Sequence, residues 1–320
     1  MSLDRRFRLT QLFIPAVLAG AIVAVSFLEP RFLSSRNLIN ILMQAAPLVI
    51  ASLGQAIIIT AGDIDLSQGA VVALAGVAGV VVGVQTDSVL LAWLTVAVAG
   101  ASLGALNGIL VGWFKIPAFI ATAGMLTYAD GFAFLTSGGL PVEFPPDGYS
   151  WFGRGFIKGV PVSVPLMVIT VLLCWLVMER TRVGRAIYLV GDNRDAARIV
   201  GLSPERYRLY AFCIGGFLTG LAAIVLTGRI DSAPPSLAPS LQFETIAAVA
   251  IGGINMTGGH GQIWRAALGA APIAIVTNIL NLLGVDTAYQ LVVIGSVTIV
   301  VVAFQYVSRL PISLKWGLAK

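Results

Sequence analysis

Long stretches of this chain carry no charge, and that spacing constrains the fold more than any motif does. Uncharged runs cover residues 9–28, 37–62, 66–86, 88–114, 159–178, 209–228, 245–259, 266–285 and 287–308. All but 245–259 approach or exceed the ~18–20 residues that carry a helix across a hydrocarbon core. That run becomes a full span if the neutral His260 is passed over and Arg265 ends it. Residues 116–136 form another span, interrupted by Asp130. Only 11% of the residues are charged, against about a quarter in soluble domains, which argues against an aqueous globular fold.

The runs are continuously apolar, whereas barrel strands alternate over ~10 residues. A helix satisfies its own backbone groups in lipid, so helices are the natural reading. We therefore expect an all-α polytopic membrane protein of about ten transmembrane helices. They should fall near 10–28, 38–60, 68–85, 89–113, 117–136, 161–179, 208–228, 243–257, 266–284 and 288–307, within one domain spanning 1–320. The run that follows Arg5, Arg6 and Arg8 is too long for a signal-peptide core. Phe27-Leu28-Glu29-Pro30 also lacks small residues for cleavage, so it reads as a retained first helix.

Lys/Arg bias between loops sets the orientation. With the N-terminus inside, fifteen basic residues fall on the cytoplasmic side: Arg5, Arg6, Arg8, Lys115, the seven arginines of 180–208, Arg265, Arg309, Lys315 and Lys320. Five fall outside: Arg31, Arg36, Arg154, Lys158 and Arg229. Both termini should be cytoplasmic. The +5 net charge then reflects topology and contact with the anionic lipid of a bilayer, with no nucleic acid as partner. Cys174 and Cys213 lie within apolar runs, without Cys-x-x-Cys spacing, and read as small buried hydrophobes; no metal site is expected.

Glycine recurs at packing intervals. Gly100, Gly104, Gly108 and Gly112 form a ridge every four residues, with shorter repeats at Gly79/Gly83 and Gly216/Gly220. Such ridges let helices approach closely. Packing within the chain is the simpler reading, a subunit interface the other.

The exception to the apolar pattern is residues 179–208, ERTRVGRAIYLVGDNRDAARIVGLSPERYR, with seven of the chain's twenty Lys/Arg residues. Asp192 and Asn193 are N-cap candidates and Asp195 suits a first turn. A short helix should run from Asn193 to Val200 and close at Gly201. Ser203 and Pro204 then restart a helix as N-cap and N1. Ala196 and Ala197 would allow a partner close approach, with Arg194 and Arg198 offering peripheral charge pairs.

Four collinear segments resemble ABC-type sugar permeases of the ribose/xylose/galactose class. They are Thr181–Tyr188 with Gly191-Asp192-Asn193 and Ala196-Ala197-Arg198; Ile64-Asp65-Leu66-Ser67 with Gly69; Asn107-Gly108 with Ile116–Thr122; and Ile246-Ala247-Ala248 with Gly252-Gly253 and Gly258-Gly259. They extend over most of residues 60–270. The resemblance implies a membrane subunit that pairs with itself or a related permease. ABC ATPase subunits would dock on the coupling loop, and a periplasmic substrate-binding protein would deliver a sugar-like solute. The coupling residues would be Gly184, Arg185, Asn193, Ala196, Ala197, Arg198 and Gly201. The chain lacks a G-x-x-x-x-G-K-[ST] loop, so ATP and Mg would be used by the ATPase chains, with no cofactor bound here and no enzymatic role. Gln242 stands where the family usually has Glu, and Gln68, Asp130, His260 and Arg265 also depart from its pattern. They leave the solute open.

For the translocation pathway the candidates are Asp63, Asp65, Asn107, Asp130 and Glu244, joined by Phe119 and Thr122 of the matching segments. Acids at membrane depth face a cavity or a partner. Asp63 and Asp65 could line a break between helices, or simply cap them at the inner surface. Asp130 lies ~20 Å along its helix from Pro117 and could meet a polyol or an arginine. Asn107 could bind a neighbouring helix or solute, and Glu244 would start its helix near the outer surface. The aromatics of loop 137–160 (Phe144, Tyr149, Trp151, Phe152, Phe156) could dock a binding protein or lie at the lipid interface. Alternatives are a branched-chain amino-acid permease of the same superfamily and an ion-coupled secondary transporter, for which Asp63, Asp65 and Asp130 would be the working acids.

Overall fold

A computed structural model describes residues 26, 29, 31–143 and 145–309. Helices α1 (Ser35–Thr60), α2 (Gln68–Thr86), α3 (Val89–Gly112) and α4 (Ala118–Ser137) come first. A loop follows that holds β1 (Val142–Glu143), the single-turn α5 (Trp151–Arg154), and the hairpin β2 (Phe156–Ile157) and β3 (Val160–Pro161). Then come α6 (Ser163–Arg180), α7 (Arg182–Asp192), α8 (Arg194–Ile199), α9 (Pro204–Ile230), β4 (Ser232–Ala233), α10 (Leu241–Ile251), α11 (Arg265–Leu282) and α12 (Thr287–Arg309). Among the described residues, α1, α2, α3, α4, α6, α9 and α11 are the seven helices long and apolar enough to cross a membrane. The expected helix at 10–28, both chain ends with Arg5, Arg6, Arg8, Lys315 and Lys320, and Phe144 lie outside the described residues.

Helix α9 is the central post, packed along α3, α1 and α2. The glycine ridge explains how closely α3 meets it. A Cβ at Gly100 would sit 2.5 Å from the Gly216 carbonyl oxygen, and one at Gly112 would sit 2.9 Å from that of Glu205. The ridge therefore packs within the chain. Residues 45–60 of α1 are buried throughout, against α9, α10, α11 and α6. By contrast α3, α4 and α6 turn Leu94, Val98, Phe132, Leu135, Leu172 and Leu173 outward, as helices facing lipid do.

Two chain breaks lie inside the bundle. Helix α1 ends on Gly62 (φ 82°), whose N–H bonds the Ile59 carbonyl while Asp63 N–H bonds that of Ile58. This paired closure reverses the chain. Residues 63–67 then run back along α1. Once its amide is turned, Gln55 meets both backbone groups of Asp65 at 3.3 Å. Gln68 Nε2 donates to the Ala51 carbonyl at 3.3 Å, so α2 begins ~13 Å below the end of α1. The second break precedes α10. The segment 231–240 enters from the opposite end of the bundle, and the Ala238 carbonyl lies against Gly69.

Helix α10 differs from the span expected at 243–257, because it stops at Ile251 after 11 residues. Gly253 (φ 75°) donates to Ala250, and Ile254, fully buried, donates to Val249, giving the same closure as at Gly62. The uncharged run is long enough to span, but its helix begins only at the level of Gln68, where the 231–240 segment has already entered the bundle. The Gly252-Gly253 pair ends it close to the end of α1, where Gly259 N–H meets the Thr60 carbonyl. Glu244 thus sits at mid-depth in the first turn of α10 rather than near the outer surface.

Candidate functional site

Residues 179–208 fold into two short helices on the basic end of the bundle. Thr181 caps α7, its Oγ1 accepting from Gly184 N–H at 3.2 Å. Gly184, Ala186, Ile187 and Val190 face inward while Arg182, Arg185 and Leu189 face out. Tyr188 donates its phenol to the Gly261 carbonyl at 2.7 Å and lies 3.3 Å from Glu179. Burial and the Glu179 carboxylate push the phenol pKa up, which keeps it a neutral donor. Arg185 donates to the Arg180 carbonyl at 3.3 Å.

Asn193 caps α8 as the sequence predicts, its Oδ1 accepting from the N–H groups of Asp195 and Ala196 at 3.0 Å each. Gly201 (φ 83°) closes it, and Pro204 opens α9. The structure divides the alanine pair: Ala196 is exposed, whereas Ala197 is 3% exposed and packs inward. Ile199 at 87% and Val200 at 68% exposure are the apolar side chains that α8 turns to solvent. Sequence reasoning passed over both, and also over α7. The signal for α7 was present, since Val183, Ala186, Ile187 and Val190 recur at helical spacing behind a threonine cap.

The peripheral charge pairs expected of Arg194 and Arg198 are made within the chain. Arg198 pairs with Glu205 and, at 3.6 Å, with Asp195. Arg194 turns inward, donating to the Gly62 carbonyl at 3.0 Å and to Asp63 Oδ1 at 3.1 Å. Asp63 also receives a two-pronged contact from Arg208, Nε at 2.6 Å and Nη2 at 2.7 Å. The third nitrogen of Arg208 reaches the Val111 carbonyl at 2.8 Å, at the end of α3. Asp63 therefore caps no helix; it holds two guanidiniums. A cavity of about 530 Å³ opens beside it, lined by Lys115, Arg194, Arg198, Glu205 and Arg208. Backbones close the same corner: a Cβ at Gly191 would overlap the Thr60 carbonyl, and Gly259 N–H donates to that oxygen at 3.0 Å. His260 lies 3.5 Å from Asp192, both exposed.

Three other candidates meet deeper in the bundle. Asp65 Oδ1 accepts from Ser67 N–H at 2.7 Å and from Ser67 Oγ at 2.6 Å. Asn107 Nδ2 donates to Ser67 Oγ at 3.0 Å. Thr122 Oγ1 accepts from Leu66 N–H at 3.1 Å. All four side chains are buried, and the 63–67 break is held by its own Asp65, by Gln55 of α1 and by α3 and α4. One residue further on, Gln68 Oε1 accepts from Thr245 Oγ1 at 2.7 Å, which joins the first break to the second. Glu244 accepts from Ser240 Oγ at 2.6 Å. Phe119, 62% exposed, points away from this junction. Asp130 lies two turns further along α4 than Thr122 and is not drawn into it. No group of three or more His, Cys, Asp or Glu able to hold a metal occurs among the described residues.

Residues 37–302 match the family described as branched-chain amino acid transport system / permease component. The chain belongs to this family. It is 36% identical over 277 residues to the ribose import permease protein of Escherichia coli (strain K12), covering 85% of this chain and 86% of the relative. The ribose import permease protein of Bacillus subtilis (strain 168) is 37% identical over 285 residues, 88% of each chain. The D-allose transport system permease protein of Escherichia coli (strain K12) is 34% identical over 290 residues, 90% of this chain and 89% of the relative. Family membership and the seven apolar helices make the protein a multi-pass membrane permease component.

Proposed function

We propose that this chain is the membrane subunit of an ATP-driven importer that carries a sugar or sugar-like solute across the bacterial inner membrane by alternating access. The observation that carries this reading is α8. It is a capped six-residue helix, outside the apolar bundle, that holds Ile199 and Val200 out to solvent. An exposed apolar tip on a rigid, hydrogen-bonded support suits a protein partner, and an ATPase subunit is the partner such a permease needs. ATP and Mg are used there. Both termini lie in the cytoplasm, about ten helices cross the membrane, and a periplasmic binding protein delivers solute to the opposite end. A second permease copy, identical or related, completes the path. The relatives named for ribose and D-allose support the sugar, while the family description keeps a branched-chain amino acid as the second reading.

The interior supports transport as well. Two backbone breaks meet at mid-depth through Gln68 and Thr245, and interrupted helices at that level mark solute sites in many transporters. On this reading Asp65, Asn107, Thr122 and Glu244 shape the path, and Asp63 serves the cytoplasmic joint. The test is reconstitution of the permease in proteoliposomes with its ATPase and binding protein. ATP hydrolysis and uptake should rise when the binding protein is loaded with a ribose-class sugar. Stimulation by a leucine-loaded binding protein alone would sink the sugar assignment. Uptake that needs no ATPase and collapses with an uncoupler would sink the ATP-driven one.

A further inference from the structure

Asp63 joins parts of the chain that the sequence keeps far apart. Its carboxylate, 4% exposed, is held by Arg208 at the start of α9 and by Arg194 at the start of α8. The two contacts are unequal. Arg208 binds through two nitrogens, is itself 9% exposed, and is anchored to α3 through Val111. Arg194 binds through one nitrogen, shared with the Gly62 carbonyl, and is 42% exposed. A buried fork of this kind is a fixed joint, whereas a half-solvated single contact can open and re-form.

On the other side of Asp63 the chain continues directly into the polar junction. Two residues on, Asp65 fixes Ser67, which receives Asn107 of α3, and Leu66 is held by Thr122 of α4. Gln68 then bonds Thr245 at the start of α10. The extended segment 63–67 has no helix of its own to absorb a displacement at its end. A pull on Asp63 therefore reaches both mid-depth breaks through a short, hydrogen-bonded path.

We propose that the Arg194–Asp63 contact is the linkage through which movement of α8 is delivered to the mid-depth junction, with Arg194 as a positioning residue for transport. This rests on the reading of α8 as the ATPase-docking helix. Arg194 directs its guanidinium to Asp63 and Gly62 and away from the exposed Ile199–Val200 tip, so its removal should spare docking. The experiment compares wild type, Arg194→Ala and Arg194→Lys, each reconstituted with ATPase and sugar-binding protein, and measures ATPase co-purification, basal hydrolysis and solute carried per ATP.

Arg194→Ala should keep co-purification and basal hydrolysis but lower solute carried per ATP roughly five-fold or more, the scale of a site-to-site coupling. Arg194→Lys restores a cation within reach of Asp63 and should recover most of that ratio. An unchanged ratio in Arg194→Ala overturns the linkage. Loss of co-purification also overturns it, because Arg194 would then be a docking residue. Failure of the wild-type permease to bind any ATPase is a different result: it defeats the function proposed above, and the linkage with it.

Discussion

At the basic end of the bundle the tie between helices is Asp63, 4% exposed between two guanidiniums that belong to α8 and α9. At the opposite end Arg154 and Asp231 pair at 3.1 Å with 48% and 46% of their side chains in solvent, and the buried tie there is neutral. Tyr149, fully buried, shares a 2.8 Å hydrogen bond with Thr227, and its carbonyl accepts from Trp93 Nε1 at 3.2 Å. Phe152 lies tilted against Trp93 with ring centroids 4.7 Å apart, and β1 pairs with β4 through Val142–Ala233 and Glu143–Ser232. Both ends join segments distant in sequence. The first uses buried charge, in which each partner depends on the other. The second spreads the tie over backbone pairing, ring contacts and one phenol. The basic end should therefore be brittle to single changes and the opposite end tolerant.

The sharpest way to break this contrast is Asp63→Asn. It keeps size and removes the charge, so Arg208 stays buried with no carboxylate. Loss of one member of a buried pair costs about 3–5 kcal/mol. Thermal unfolding of the detergent-solubilised protein should show a clear drop in the midpoint. A midpoint equal to wild type would mean that Asp63 is no more than a surface acid.

Tyr149→Phe probes the neutral tie. The phenol is lost while Thr227 Oγ1 keeps its 2.7 Å bond to the Ala223 carbonyl, so the expected cost is about 1 kcal/mol. The same unfolding measurement should place it well above the Asp63 variant. A loss as large as that of Asp63→Asn would show that the two ends are equally brittle.

The smallest effect is expected for Arg154→Ala, below about 1 kcal/mol, because exposed pairs gain little over their hydration. Repeating the comparison at 1 M salt, where screening acts over ~3 Å, should shrink even that difference. A salt-independent loss would point to the bond from Arg154 Nε to the Arg229 carbonyl as the part that matters.

Helix positions were legible because charge spacing is a direct record of hydrocarbon depth. The expected spans at 38–60, 68–85 and 266–284 fall within a few residues of α1, α2 and α11. The cap of α8 was equally plain, since Asn193, Asp195 and Gly201 act on neighbours within four residues. The glycine ridge was visible as a stripe, and its partner helix followed only from the fold. The half-length of α10 was missed because its start depends on the 231–240 segment entering the bundle, and only its end, at Gly252-Gly253, is marked in the sequence. A hydropathy window counts glycine as compatible with a span and does not register that a positive φ stops the helix. Of the pathway candidates, Asp65, Asn107 and Thr122 come together at one polar junction, while Phe119 and Asp130 lie apart from it.

Local sequence settled the long apolar helices, the charged loop that interrupts them, and the caps that begin and end α8. These depend on burial in lipid and on contacts a few residues long. The contacts of Asp63 emerge only in the folded bundle. Arg194 and Arg208 lie 131 and 145 residues away, and nothing local distinguishes them from the other five arginines of their loop. Their pairing follows from close passage of α9 along the α3 glycine ridge and from the reversal of the chain at Gly62. A charge finds its partner through the packing of whole helices, and that packing is a property of the assembled bundle.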